Sequence, residues 1–123
     1  MTSVGVDIVE TKRIESATRQ WGKRFLDRVY TEAELEICRD RVLSLAARFA
    51  AKEAVMKVLG TGAKGISWRE IEILADGNGK PLVKLYGRAR NRAEELNLNG
   101  FSISLSDTKQ LAIAVAIGSS STC

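Results

Sequence analysis

The amino-acid sequence predicts an α+β fold in which a mostly antiparallel sheet packs on one long helix. Three observations support this prediction: a strand-like segment opens the chain, helical periodicity fills residues 11–59, and strand-like segments dominate the second half. With 123 residues, of which 45% are hydrophobic, the chain can bury a core of its own. We expect a single domain over residues 1–123, because no linker, low-complexity tract or repeat divides the sequence.

The first half is predicted to be one strand followed by helices. Residues 3–9 alternate apolar with small or polar residues, which is the period of a strand. Thr31 and Glu34 have the spacing of a capping box, so a helix is expected to begin there. Residues 41–59 are rich in alanine and leucine and form the long helix, which ends at Gly60.

The second half is predicted to contain two pairs of strands separated by a helix. The first pair turns at residues 76–80, where Asp, Gly and Asn supply the backbone conformations that a tight hairpin needs. The predicted segments are strands at 70–75 and 81–86, a polar amphipathic helix at 88–98, and strands at 101–106 and 111–117.

Composition limits the chemistry. The sequence has no histidine, which excludes histidine-based triads, histidine-ligated zinc and histidine general bases. A net charge of +4 favours an acidic or phosphate-bearing partner. The first residues are acidic where a signal peptide is basic, and no apolar run is long enough for a membrane span, so we expect a cytoplasmic protein without a membrane partner. We expect Cys38 and Cys123 to be reduced thiols.

The long helix carries polar residues of two kinds. One stripe is expected to face solvent and consists of Arg41, Ser44, Arg48 and Lys52. Glu53 and Lys57 lie one turn apart on a different sector, among small apolar residues. They are either an ordinary surface ion pair, which periodicity alone favours slightly, or a pair that binds something.

Asp7 raises the same question in the first strand. Alternation would let Asp7 face solvent while Val6 and Ile8 face the core. Alternatively, Asp7 and Glu53 converge if the strand packs beside the long helix. Two carboxylates without histidine or cysteine suit Mg²⁺, and Lys57 would then lie close enough to neutralise a phosphate.

Two further segments have both a structural and a functional interpretation. Residues 60–65 (GTGAKG) follow a helix and lack the spacings of the Walker A and dinucleotide-binding motifs, so a helix cap followed by a loop is the default interpretation. The backbone N–H groups of this loop and Lys64 could nevertheless contact a phosphate.

Residues 12–28 carry six basic and two acidic side chains. At near-helical intervals recur Arg13, the pair Lys23 and Arg24, and Arg28, which form either a solvated face or a docking surface for an acidic partner.

Several of these segments together resemble a known enzyme family. Residues 4–10 (VGVDIVE) followed by KRI at 12–14, and residues 48–54 (RFAAKEA) followed by Lys57, are similar to holo-[acyl-carrier-protein] synthases, the small trimeric class of 4′-phosphopantetheinyl transferases. Further matches are Gly60–Gly62, Ile71–Ile73, Gly79–Pro81 and Ser104–Ser106. The resemblance runs nearly end to end and implies that family's fold.

The resemblance also implies an activity. These enzymes transfer the phosphopantetheine arm of coenzyme A to a serine of apo acyl carrier protein, release adenosine 3′,5′-bisphosphate and so activate the carrier for fatty acid synthesis. By position, Asp7 and Glu53 match the ligands of Mg²⁺ (or Mn²⁺), and Glu53 and Lys57 match the catalytic residues. Carrier-protein binding is assigned to Arg13, Arg24 and Arg28. Coenzyme A binding is assigned to Arg48, Lys57, Gly60, Thr61, Gly62, Lys64, Lys80, Pro81 and Ser106.

The resemblance further implies a homotrimer whose sites lie between protomers, with the residues near Ser106 coming from a neighbouring subunit. One departure is Asp107, where the family usually has histidine. Two other functions stay open: a catalytically inactive structural trimer, which Asp107 would allow, and a small basic nucleic-acid-binding module. The second requires aromatic residues among the basic ones, and Trp21, Phe25 and Tyr30 suit helix packing as well as base stacking.

Overall fold

In the computed structural model, which describes residues 1–60 and 64–120, two antiparallel sheets pack against one long helix. The predicted α+β class is therefore confirmed. The strands are β1 (Thr2–Glu10), β2 (Ile71–Ala75), β3 (Pro81–Leu85), β4 (Gly100–Asp107) and β5 (Leu111–Ser119). The helices are α1 (Thr11–Trp21), α2 (Lys23–Val29), α3 (Glu32–Cys38), α4 (Val42–Leu59) and α5 (Gly87–Glu95), with a 3₁₀ turn at Trp68–Glu70.

The larger sheet has the strand order β1-β5-β4, and the smaller sheet is the hairpin β2-β3. Because β1 pairs with β5, the first strand of the chain lies beside the last, and Asp7 is opposite Ala114. Predicted and observed segments agree to within three residues, the largest difference being the end of α5. The predicted capping box at Thr31 is confirmed, with Thr31 Oγ1 accepting from the Glu34 N–H and the Glu34 side chain accepting from the Thr31 N–H.

Small residues let α4 approach the larger sheet closely. On the sheet face that meets α4, β1 contributes Gly5 and β5 contributes only small residues, which are Ala112, Ala114, Ala116 and Gly118. At Gly5 a Cβ atom would overlap the carbonyl oxygen of Ala54 and lie 3.0 Å from Cβ of Lys57. Glycine is therefore required where β1 crosses α4, because any side chain would separate the two elements.

The opposite face of the same sheet is apolar and exposed. Its large side chains are between 37% and 64% exposed; they are Val4, Val6, Ile8, Leu111, Ile113, Val115 and Ile117. Of the two alternatives for β1, the one in which Val6 and Ile8 face the core while Asp7 faces solvent is wrong. Where α4 crosses β1 and β5 it packs mainly against small residues of these strands, so most of their bulky β-branched side chains lie on the outer face and Asp7 points towards α4.

The predicted solvent-facing stripe of α4 is also partly wrong. Arg41 is exposed, but Arg48 is buried and Lys52 is 0% exposed. The stripe enters the core because the 3₁₀ turn and β2 cover its C-terminal half, where their carbonyl groups accept hydrogen bonds from both side chains. Within the described ranges, none of the helices is long and apolar enough to cross a membrane.

Candidate active site

Asp7 and Lys57 meet where β1 crosses α4. The Lys57 ammonium lies 3.2 Å from Asp7 Oδ1 and donates a second hydrogen bond, of 2.9 Å, to the carbonyl oxygen of Val6. The Asp7 side chain is 17% exposed, whereas that of Lys57 is 53% exposed. Lys57 is thus anchored to β1 through its ammonium group, while about half of its side chain stays open to solvent.

Glu53 lies one turn before Lys57, on the same side of α4, and it is half-buried. Burial, and then the negative charge of Asp7, raise the pKa of Glu53, while Arg13 and Lys57 oppose the shift. The two carboxylates are therefore close enough to repel each other. The structure brings Asp7, Glu53 and Lys57 together, as the convergence hypothesis required, and Lys57 pairs with Asp7 rather than in the surface pair with Glu53.

This donor set fits a hard divalent cation. A cation between Asp7 and Glu53 would relieve the repulsion that raises the Glu53 pKa. Across residues 1–60 and 64–120 there is no group of three or more histidine, cysteine or carboxylate side chains suited to a metal. Two carboxylates are nevertheless what Mg²⁺ commonly takes from a protein, because water and substrate phosphates complete its octahedral shell.

The three predicted docking arginines line one groove. Arg13 comes from α1 and Arg24 and Arg28 come from α2, which Gly22 separates, yet all three border a cavity of about 440 Å³. The rest of its lining is Ile14, Ala17, Trp21, Phe25 and Phe49. We call this cavity the arginine groove.

The arginines of this groove differ from their basic neighbours. Arg19 pairs with Glu15 and Lys23 pairs with Asp27, at 3.0 and 2.8 Å. None of the three groove arginines forms a salt bridge with a carboxylate of the described residues. The positive charge is therefore concentrated at the groove and is available to an external anion.

Aromatic packing fixes one of these arginines. The Arg13 guanidinium lies over the Phe49 ring, 5.7 Å from its centroid, and Phe49 stacks on Trp68 with centroids 4.9 Å apart. Phe49 is also one helical turn before Glu53, and the charge of Arg13 opposes the rise of the Glu53 pKa. The groove and the carboxylate pair are therefore neighbours along α4.

The predicted coenzyme A residues are spread over several elements. Gly60 ends α4 in the left-handed conformation with φ 71°, and Lys64 is exposed after it. Lys80 and Pro81 lie at the end of the β2-β3 turn. Arg48 is mostly enclosed, because its Nε donates to the Ile73 carbonyl oxygen at 3.0 Å. Thr61 and Gly62 lie outside the described residues.

Ser106 is on the far side of the larger sheet from Asp7. It lies opposite Ile113, as Ile8 does, and all three line a pocket of about 160 Å³ on the outer face. Asp107 borders the same pocket, and none of the other predicted coenzyme A residues in the described part of the chain does. Within one chain the structure does not bring Ser106 together with Asp7, Glu53 and Lys57.

Sequence reasoning missed two features of the site. Gly5 was a usable signal, since a glycine inside a strand marks a close backbone approach. The burial of Lys52 against Glu34 carried no such signal, because capping-box glutamates and helical lysines are usually exposed. Burial lowers the pKa of Lys52, and the Glu34 carboxylate opposes the shift.

Comparisons with known proteins support the resemblance. Residues 3–116 match the model of the 4′-phosphopantetheinyl transferase superfamily. The holo-[acyl-carrier-protein] synthase of Herpetosiphon aurantiacus is 50% identical over 125 residues, which cover 96% of this chain and 98% of that protein. That of Dehalococcoides mccartyi is 50% identical over 117 residues, covering 95% and 98%.

A solved structure gives the same result. The holo-[acyl-carrier-protein] synthase of Helicobacter pylori, crystallised in complex with coenzyme A, superposes with a TM-score of 0.86 at 33% identity, covering 94% of this chain and 99% of that chain. The chain matches the H. aurantiacus protein over nearly the full length of both, and their 50% identity is well above the level at which proteins share a family. The chain therefore belongs to the holo-[acyl-carrier-protein] synthases of the 4′-phosphopantetheinyl transferase superfamily.

Proposed function

We propose that this protein transfers the 4′-phosphopantetheine arm of coenzyme A to a serine of apo acyl carrier protein, for fatty acid synthesis. The proposal rests on the family and on one observation: Asp7 and Glu53 converge beside the ammonium group of Lys57. We further propose that residues 1–123 act as one phosphopantetheinyl transferase domain in the cytoplasm, where the buried free thiol of Cys38 would stay reduced.

The reaction exchanges one bond to phosphorus for another. The serine oxygen bonds to the phosphorus nearer the pantetheine arm, the anhydride bond breaks, and adenosine 3′,5′-bisphosphate leaves. Asp7 and Glu53 would hold Mg²⁺ or Mn²⁺, whose charge, when bound, stabilises the phosphate oxygens. Lys57 supplies a second positive charge from a fixed position, since Val6 and Asp7 hold its ammonium group. The serine proton leaves to Glu53 or to water that Glu53 orients.

The arginine groove is the proposed docking site for the acidic carrier protein. Its three arginines are free of salt bridges to described carboxylates, and its floor is apolar. The positive charge of Arg13 acts on Glu53 and opposes the rise of its pKa. A carrier held by these arginines would therefore present its serine near the carboxylate pair.

We also propose a homotrimer with the coenzyme A site between protomers. The outer face of the larger sheet is a continuous apolar surface, which is typical of an interface between copies of a chain. Ser106 lies on that face, away from Asp7 of its own chain. A neighbouring copy packed on the outer face would therefore bring its own Ser106 into the interface between protomers.

One mass-spectrometric assay tests the transfer. Apo acyl carrier protein is incubated with the protein, coenzyme A and Mg²⁺, and we expect its mass to increase by one phosphopantetheine group. Glu53→Gln should lose most of this Mg²⁺-dependent turnover while keeping the fold. An unmodified carrier with the wild-type protein would contradict the proposal and favour an inactive structural trimer. A rise in melting temperature with an oligonucleotide, but not with coenzyme A and Mg²⁺, would favour the nucleic-acid module.

Docking is tested separately by charge reversal. The double variant Arg13→Glu/Arg24→Glu should raise the KM for the carrier protein much more than the KM for coenzyme A. Lys23→Glu is the matched control, because Lys23 precedes Arg24 on α2 but is already paired with Asp27 and does not line the groove. Equal effects of the double variant on both KM values would count against the groove as the docking site.

A further inference from the structure

Lys52 is a charged side chain at the centre of the protein. It is 0% exposed, and its ammonium group donates to the Glu34 carboxylate at 2.7 Å, the Ile71 carbonyl oxygen at 2.6 Å and the Trp68 carbonyl oxygen at 3.0 Å. These three acceptors use all three N–H groups of the ammonium. A lysine satisfied in this way has no donor left for a substrate phosphate.

Glu34 completes the arrangement. It is also 0% exposed, and its second oxygen accepts from the Ile73 N–H at 2.8 Å. The pair thereby joins α3, α4, the 3₁₀ turn and β2, and no buried side-chain N or O atom among the described residues lacks a hydrogen-bond partner. Breaking one partner of such a pair is costly because it leaves a buried charge uncompensated.

Lys52 and Glu53 are adjacent in sequence but serve different neighbours. The Lys52 side chain meets β2 and the 3₁₀ turn, whereas Glu53 meets Asp7 on β1. Adjacent positions on a helix differ by about 100°. Lys52 is therefore separated from the phosphate chemistry even though it precedes the catalytic carboxylate.

The contacts of Lys52 lead instead to the arginine groove. The backbone that Lys52 holds belongs to Trp68, whose ring stacks on Phe49, and the Phe49 ring carries the guanidinium of Arg13. The 3₁₀ turn that begins at Trp68 also packs on α2, the helix that supplies Arg24 and Arg28. One buried ammonium group thus fixes the backbone behind the groove.

We propose that Lys52 and Glu34 are positioning residues for carrier-protein docking, which act through Trp68 and Phe49 on the arginine groove and not on the carboxylate pair. This inference rests on the proposed function. It assigns to the lysine of the KE dipeptide a role in recognition, distinct from the chemistry of the glutamate that follows it.

The test removes the charged pair with little change of volume. The double variant Glu34→Gln/Lys52→Met deletes both charges together, which avoids a lone buried charge. We expect the KM for the carrier protein to rise about tenfold, with kcat and the KM for coenzyme A changed less than about twofold. A purely structural role would lower the amount of active protein without separating the two KM values.

A second variant interrupts the same path nearer the surface. Trp68→Leu removes the ring that stacks on Phe49; since Trp68 is only partly buried, this variant should fold even if the buried pair cannot be replaced. It should show the same separation of KM values. Tyr86→Phe is the matched control, because it removes a hydrogen bond from Tyr86 to Glu72 on β2 without touching the groove.

The outcomes separate this inference from the proposed function. If the wild-type protein transfers no phosphopantetheine, or Arg13→Glu/Arg24→Glu leaves the carrier KM unchanged, the proposed function or its docking surface is wrong. If both of those tests succeed, the inference is overturned by an equal rise of both KM values or by a loss of kcat alone. Should the double variant fail to fold, the Trp68→Leu result decides in the same way.

Discussion

Gly5→Ala tests whether the close approach of β1 to α4 creates the active site. The added Cβ would overlap the carbonyl oxygen of Ala54 and lie 3.0 Å from Cβ of Lys57. Carbon atoms pack at about 3.5–4.0 Å, and the overlap with the Ala54 carbonyl oxygen is the more severe of the two contacts, so β1 has to retreat from α4 by more than about 1 Å. Asp7 lies on the same strand and the same face, two residues further on, and moves with it. Its 3.2 Å contact with the Lys57 ammonium would then be lost.

Two magnitudes follow from this displacement. Overpacking of a core costs about 1–3 kcal/mol, so Gly5→Ala should lower the free energy of unfolding by that amount. A misplacement of about 1 Å in a catalytic group costs about 10²-fold in rate, so kcat should fall by that factor. The stability loss leaves most molecules folded at 25 °C if the protein has ordinary stability, and the loss of kcat is measured there.

The assay follows phosphopantetheine transfer by mass spectrometry, with unfolding followed by circular dichroism in urea. Gly77→Ala is the control, because a Cβ on Gly77 meets no atom within 4 Å and its backbone lies outside the left-handed region. The control should keep wild-type kcat. The reasoning is refuted if Gly5→Ala keeps wild-type kcat, whether or not the variant is destabilised.

Three further predictions concern pH, assembly and stability. Burial, and then Asp7, raise the folded-state pKa of Glu53, so the charged carboxylate destabilises the folded state, and this loss of stability sets in as pH rises through the folded-state pKa. Without divalent cations, Glu53→Gln should therefore have a higher melting temperature than wild type at pH 7 and lose this advantage in acid, where the wild-type carboxyl is protonated. A lower melting temperature of the variant at pH 7 would contradict this. Val115→Glu places a charge on the outer face and should reduce the molar mass measured by light scattering, whereas a wild-type protein that is monomeric at every concentration would contradict the trimer. Thr31→Ala removes the hydroxyl that accepts from the Glu34 N–H and should cost about 1–2 kcal/mol in urea unfolding; an unchanged midpoint would show that the capping box contributes nothing.

The periodicity of the sequence was sufficient to predict the main strands and helices, and to place Asp7 and Glu53 on two of them. The strand at residues 3–9 and the helix at 41–59 are present as β1 and α4. The first segment has the two-residue period of a strand, and the second has the period of about 3.6 residues of a helix. The same two elements carry Asp7 and Glu53, and their convergence needed only that strand and helix be neighbours. The arginine groove was also accessible, since Arg13, Arg24 and Arg28 have helical spacing even though Gly22 divides the helix.

Periodicity could not decide which face of an element meets the core. In β1 the alternation of residues separates two faces but does not identify the buried one. The usual preference for burying Val6 and Ile8 points to the face that is in fact exposed. In α4 the positions of Arg48 and Lys52 fit a solvated stripe, and only the 3₁₀ turn and β2, distant in sequence, determine that they are covered. Both errors arise from tertiary contacts that no local pattern contains.

The small residues of β1 and β5 connect the active site to assembly. A carboxylate on β1 can reach a carboxylate on α4 only if strand and helix almost touch, which requires glycine and alanine along the inner face. Strand residues alternate between faces, so the bulky side chains that make these segments good strands must then lie on the outer face. A monomer would leave that apolar surface in water, and a neighbouring copy of the chain would cover it without any change to the inner face. The geometry that brings Asp7 to Glu53 therefore also creates the surface through which we propose that protomers associate.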